Sequence, residues 1–121
     1  MKFRTSIAAI CAGLLLAGGA LAQDFKKMGG VLVNSAGMTL YTFDRDSGGK
    51  SACNGPCVSN WPPVTAAADA KPSGDWTIIT RDDGAKQWAY KGKPVYLWSK
   101  DAKPGDMTGD NFNNVWHVVK D

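Results

Sequence analysis

Shifted by 55 positions, the chain matches itself. Gly37 falls on Gly92, Leu40 on Val95, Tyr41 on Tyr96 and Phe43 on Trp98. The same shift sets Asp46 on Asp101, Trp61 on Trp116 and Val64 on Val119, without a gap. Small residues coincide by chance far more easily than paired Tyr and Trp do. The chain is therefore read as two copies of one unit, about residues 29–66 and 84–121. A single copy would leave an apolar face uncovered, and pairing two copies covers both. One pseudo-symmetric domain is expected rather than an open array.

The pattern within each copy is that of β-structure. Val31-Leu32-Val33 leads through the turn residues Asn34-Ser35-Ala36-Gly37 into Met38-Thr39-Leu40-Tyr41-Thr42-Phe43, a hairpin signal. Gln87-Trp88-Ala89-Tyr90 alternates, which sets Trp88 and Tyr90 on one face. Pro94-Val95-Tyr96-Leu97-Trp98 is apolar on both faces, as in a strand covered from both sides, and Pro94 can only begin it. Trp76–Thr80 is a further strand between the copies, and Val115–Val119 closes the chain. No helix is expected after the signal segment, because Ala66–Ala70 is short and is followed by Pro72 and Gly74. The expected fold is all-β: a small single domain of two pseudo-symmetric β-meander repeats, sandwich- or barrel-like, after an N-terminal signal helix.

The domain organisation follows from the first residues. Lys2 and Arg4 precede an uncharged run from Ile7 to Leu21, and Ala20-Leu21-Ala22 then offers a small-x-small cleavage site before Gln23. The run is about fifteen residues, short of the roughly twenty that span a bilayer. Residues 1–22 are thus expected to be a cleaved signal peptide, leaving 23–121 as one β domain without a transmembrane span. Fourteen Lys and Arg face eleven Asp, and there is no Glu. Lys2 and Arg4 leave with the signal, so the formal charge of +3 falls to near neutrality. This excludes a case for nucleic-acid binding based on charge.

Cleavage also removes Cys11, which sits inside the apolar run and not at its end, where a lipid-anchored cysteine would be. Cys53 and Cys57 remain. In an exported chain they are expected to form a disulfide. A loop this short gains about 2 kcal/mol on the chain-entropy estimate. Their spacing is not Cys-x-x-Cys, and no His follows as haem attachment requires.

The doubled element reads Tyr41-Thr42-Phe43-Asp44-Arg45-Asp46 and Tyr96-Leu97-Trp98-Ser99-Lys100-Asp101, both Tyr-x-aromatic-x-x-Asp. Together with Cys53-Asn54-Gly55-Pro56-Cys57, Trp61-Pro62-Pro63 and Pro104-Gly105-Asp106, it resembles the bacterial family described as predicted lipoproteins with a Yx(FWY)xxD motif, also called the secreted repeat of unknown function. The resemblance covers nearly the whole mature chain. It implies an exported bacterial domain, often membrane-tethered, whose biochemical role is not established. This chain departs from it in lacking a lipobox cysteine, so lipid anchoring is not expected.

The candidate site residues are the motif set Tyr41, Phe43, Asp46, Tyr96, Trp98 and Asp101, with the repeated Trp61 and Trp116. Two readings stand. In one, the aromatics pack the domain and each Asp accepts loop N–H donors. In the other, they form a ligand site with an aromatic wall and an acidic floor. Asp44, Asp46, Asp101, Asp106 and Asp110 loosely resemble calcium-loop residues, but position 55, where the loop's twelfth ligand would stand, is Gly. Met28, Met38, Met107 and His117 are soft ligands that no spacing brings together. No nucleophile–base–orienter set can be assembled from local motifs, so no catalytic residue, resident metal or cofactor is assigned. The expected function is an exported envelope or periplasmic module that binds a protein or small ligand without catalysis. The alternative is a metal- or haem-associated envelope protein, with a thiol redox protein third.

Overall fold

In a computed structural model of the chain, residues 25–120 are described. The signal segment 1–22 and Cys11 lie outside them. Seven short strands carry the fold: β1 Lys26–Met28, β2 Val31–Val33, β3 Tyr41–Phe43, β4 Trp76–Thr80, β5 Lys86–Tyr90, β6 Lys93–Pro94 and β7 Trp116–Val118. β1 pairs with β2, β3 with β7, and β4–β5–β6 form a three-stranded sheet, all antiparallel. Pieces this small are marginal alone. Single bridges knit them together, among them Val31 to Lys120, Val33 to Thr39, Tyr41 to Tyr96 and Thr65 to Gln87. The domain is all-β and built from two repeats, as the self-match implies.

The first hairpin turn shows how locally the repeat is encoded. The Asn34 side chain accepts from the N–H groups of Ala36 (2.9 Å) and Met38 (3.0 Å). Gly37 turns the chain at φ 84, and Gly92 does so at the same φ 84 in the second copy. That left-handed conformation suits glycine because it has no Cβ to clash.

The copies interlock. Leu32 N–H donates to the Val119 carbonyl (2.9 Å), Val119 to Leu40 (3.0 Å) and Leu40 back to Leu32 (3.0 Å). The second copy repeats the ring: Trp88 to Val64 (2.9 Å), Val64 to Val95 (3.1 Å) and Val95 to Trp88 (3.0 Å). Val119 ends the second unit and Val64 the first, so each ring borrows its last member from the other copy. β7 pairs with β3 in the same exchanged sense. Its counterpart is Pro62, whose carbonyl accepts from Leu97 N–H at 2.8 Å. At the centre Tyr41 and Tyr96 exchange both backbone bonds, each 2.9 Å, on the pseudo-two-fold axis.

The interlocked strands bury both faces. Val31, Tyr41, Tyr96 and Val118 point into one core, and Leu32, Leu40, Val95 and Val119 into the other. This explains the run Pro94–Trp98 that is apolar on both sides. The second core adds Trp88, Tyr90 and Val64, with Phe25 and Trp76 against its edge.

The absence of a helix after the signal, expected from the sequence, is corrected. Pro56–Asn60 forms a short helix, α1. Gly55 enters it at φ 60, and Pro56 occupies a first-turn position where a missing N–H costs nothing. The Cys53–Cys57 disulfide closes over its start, and Trp61 N–H caps its end on the Cys57 carbonyl at 2.8 Å. Local closure replaces the length that the sequence lacks.

The first core is a column of stacked rings. Phe43 lies on Trp116 (centroids 4.1 Å, planes 11° apart), Trp116 on Trp61 (3.8 Å, 2°) and Trp61 on Trp98 (4.0 Å, 27°). The pseudo-axis passes between Trp61 and Trp116, so each copy supplies two rings. Gly109 borders the column, and a Cβ there would sit 2.6 Å from Trp61 and 2.9 Å from Trp98. Neither stacked ring has a free end to swing away. Gly109→Ala is expected to lower stability by about 1–3 kcal/mol, the usual cost of overpacking, as measured by urea unfolding.

Candidate functional site

The structure brings all six motif residues together, but across the copies. The Tyr41 hydroxyl donates to Asp101 Oδ2 at 2.8 Å, and the Tyr96 hydroxyl to Asp46 Oδ2 at 2.7 Å. Each copy's tyrosine is thus held by the other copy's aspartate. Both tyrosines are 0 % exposed. Each meets the repeated tryptophan of its own copy edge-on: Tyr41 with Trp61 at 5.2 Å, Tyr96 with Trp116 at 5.1 Å. Phe43 and Trp98, the second aromatics, end the stacked column.

The other carboxylate oxygens hold loops. Asp46 Oδ1 accepts from Ala52 N–H at 2.6 Å, and Asp101 Oδ1 from both Thr108 N–H (3.0 Å) and its hydroxyl (2.6 Å). Burial pushes both phenols far above their usual range, and the adjoining carboxylates push the same way. Burial also raises Asp46, although the N–H of Ala52, the hydroxyl of Tyr96 and the charge of Arg81 act against it.

The symmetry breaks behind Tyr96. The Arg81 side chain is only 2 % exposed, and it donates to Ser51 Oγ (2.9 Å), Gln87 Oε1 (2.8 Å) and the Cys53 carbonyl (2.6 Å). Ser51 Oγ touches the Tyr96 hydroxyl in turn. Tyr96 spends its proton on Asp46, so Ser51 donates to Tyr96. The order runs from guanidinium through two hydroxyls to carboxylate, every donor polarised toward the anion. Gln87 is fully buried and donates to the Val95 carbonyl at 2.8 Å. Sequence reasoning missed Ser51, Arg81 and Gln87. Arg81 precedes Asp82-Asp83-Gly84 and looks like part of a solvated turn. Only the position of Gln87, opening an alternating strand on the face away from Trp88, hints at burial.

The remaining candidates lie in loops. Asp106 Oδ2 accepts from the N–H groups of Ala102 (2.8 Å) and Lys103 (3.1 Å), and the Lys103 ammonium above all holds its carboxyl below the usual value. Asp110 Oδ1 accepts from Val118 N–H at 3.0 Å. His117 joins two loops through Asp44 Oδ2 (2.8 Å) and Asn111 Oδ1 (3.0 Å). Met28 and Met107 are exposed, and the Met28 sulfur lies beside Gly37. Among the described residues, no three His, Cys, Asp or Glu groups converge as metal ligands.

An open polar groove lies outside the core. One lobe, about 390 Å3, runs between Thr42–Gly48 and the turn Lys91-Gly92-Lys93. A second, about 320 Å3, extends from the same wall to His117 and Lys120. Thr42, Asp44, Lys91 and Lys93 line both. Lys91 stands at φ 50 and Gly92 at φ 84, the left-handed pair that closes the two-residue turn between β5 and β6.

The broken symmetry sets unequal costs at the two tyrosines. Tyr96→Phe takes the short acceptor from the buried Ser51 hydroxyl and removes a donor from Asp46. Tyr41→Phe takes the acceptor from the buried Gly109 N–H but leaves Asp101 both Thr108 donors, where Asp46 would keep only the Ala52 N–H. Each change is expected to cost about 1–3 kcal/mol, Tyr96→Phe the more, by parallel urea unfolding.

The exchanged strands and crossed Tyr–Asp bonds make two similar units, and comparison with known sequences finds the same two. The family described as "secreted repeat of unknown function" matches residues 25–65 and again residues 77–120. Comparison with curated proteins and with solved structures gave no match. The two matches cover well over half of the chain, which therefore belongs to this family of secreted repeats.

Proposed function

We propose that this exported protein is a non-enzymatic binding module of the envelope, and that it takes an anionic group in the groove beside Lys91 and Lys93. The family is one of secreted repeats, and no helix among the described residues is long and apolar enough to cross a membrane. A periplasmic or secreted location without a lipid anchor agrees with the absence of a cysteine after the apolar run.

One observation carries the proposal. The motif hydroxyls and carboxylates are saturated by one another and by loop backbone. They are therefore assigned to architecture, and a ligand is left the groove. There Lys91, Lys93 and Lys120 outnumber Asp44 and Asp46, whose carboxylates are already hydrogen-bonded to His117 and to Tyr96 and Ala52. A carboxylate- or phosphate-bearing ligand suits that wall, and its affinity should weaken with salt.

The test is an NMR titration of the exported protein with citrate and with inorganic phosphate. Amide shifts are expected at Thr42, Asp44, Lys91–Lys93 and His117, shrinking as salt is raised. The double variant Lys91→Asn, Lys93→Gln should lose them while keeping stability within about 0.5 kcal/mol, since both residues are exposed and Asn tolerates the left-handed turn. Shifts confined to a second cleft, lined by Phe25, Lys27 and Trp76, none of which borders this groove, or unchanged shifts in the double variant, would refute the assignment.

A further inference from the structure

The first core offers more than packing. Trp98, Trp61 and Trp116 are stacked at centroid distances of 4.0 and 3.8 Å, without interruption. Tyr41 and Tyr96 abut the middle pair at 5.2 and 5.1 Å. Indole and phenol are the side chains, apart from thiols and thioethers, that most readily give up one electron. Here they form a continuous Tyr–Trp–Trp–Tyr chain with a tryptophan lead to the surface. Trp98 is 8 % exposed and lies against Phe112, which is 40 % exposed.

Burial accounts for the rings but not for where the hydroxyls point. A backbone carbonyl would satisfy a buried phenol without burying a charge. Both hydroxyls instead donate to carboxylates, and desolvation of Asp46 works against keeping it ionised. A phenol that loses an electron becomes strongly acidic and must shed its proton at once. A carboxylate already bonded to it is the group that takes that proton.

We infer that the core is a one-electron relay, in which oxidising equivalents captured at Trp98 are passed along the indole stack to tyrosines paired with proton-accepting carboxylates. The co-reactant is a high-potential one-electron oxidant, a radical or high-valent metal species of the kind an exported protein meets. It takes one electron from Trp98 and is itself reduced, leaving an indole radical cation. Electrons then move from Trp61 to Trp98 and from Trp116 to Trp61. Tyr96 restores Trp116 with its own electron, its O–H bond breaks, and the proton forms an O–H bond on Asp46 Oδ2. The products are a neutral Tyr96 radical, protonated Asp46 and intact tryptophans. Tyr41 and Asp101 do the same from Trp61. A one-electron reductant reverses the step, with the proton returned from the carboxylate. Because burial holds both phenols far above their ordinary range, neither is ionised beforehand, and electron and proton must leave together.

The experiment is flash-quench oxidation of the exported protein with a photo-oxidised ruthenium tris-bipyridine complex, followed by transient absorption and freeze-trapped electron paramagnetic resonance. A tryptophanyl signal is expected first and a neutral tyrosyl radical after it, formed more slowly in deuterium oxide. The double variant Tyr41→Phe, Tyr96→Phe should lose the tyrosyl signal and retain the tryptophanyl one. Tyr90→Phe, in the other core, should leave both unchanged. Asp46→Asn with Asp101→Asn leaves one acceptor oxygen on each side chain for the tyrosine hydroxyl but no carboxylate to take its proton, and serves as the independent variant. It should also trap the oxidation on tryptophan. A tyrosyl radical on Tyr90 alone, an undiminished yield in folded double variants, or no deuterium effect would overturn the relay.

Discussion

The backbone exchange between Tyr41 and Tyr96 is the contact on which the rest of the structure depends. Two hydrogen bonds, one in each direction, join the copies at their shared axis. The strands are two to five residues long, and no pairing of them would be stable in isolation. Locking the centre fixes the register of everything outward. A slip of one residue would send Tyr41 and Tyr96 into the second core and Leu40 and Val95 into the stacked one. The crossed Tyr–Asp bonds oppose that slip, because only one register lets each hydroxyl meet the other copy's carboxylate.

The exchange of Val64 and Val119 makes the domain a single cooperative unit. Neither copy completes its hydrogen-bonded ring without the other. The tryptophans obey the same logic, since Trp61 and Trp116 stack on each other across the axis and each stacks again on a second aromatic from the opposite copy. A domain of this size buries a modest share of its surface, and large rings in a column recover much of the apolar area a small core lacks.

Much of this was legible in the sequence because it is periodic. The offset of 55 finds every residue on the pseudo-axis, and equal φ values at Gly37 and Gly92 show that the match extends to backbone conformation. Periodicity could not show that the copies swap their last strands, since swapped and unswapped pairings have the same pattern. It also hid a small irregularity. Leu32 corresponds in hydrogen bonding to Trp88, 56 positions away, because the first hairpin turn is one residue longer than the second. α1 escaped notice because a disulfide and a proline stabilise it, not length or amphipathicity. Arg81 escaped because charge predicts exposure, and because Ser51 lies far away in sequence while Gln87, close by in sequence, faces it only once β4 and β5 pair.

The departures from symmetry divide the labour in the molecule. Where the copies agree, side chains satisfy one another and leave little for a ligand. Where they differ, new chemistry enters. The Cys53–Cys57 loop and Arg81 wire one tyrosine to a buried cation, while Gly109 N–H meets the other tyrosine's oxygen at 3.1 Å. The two carboxylate-bound phenols therefore sit in unlike electrostatic surroundings. A nearby cation opposes loss of an electron from Tyr96, while burial outweighs that cation at Asp46 and leaves its carboxylate the stronger base for the proton. The two effects oppose each other at Tyr96, whereas Tyr41 abuts Trp61, the indole stacked directly on Trp98, so a relay built on this frame has an order: oxidation entering at Trp98 reaches Tyr41 first.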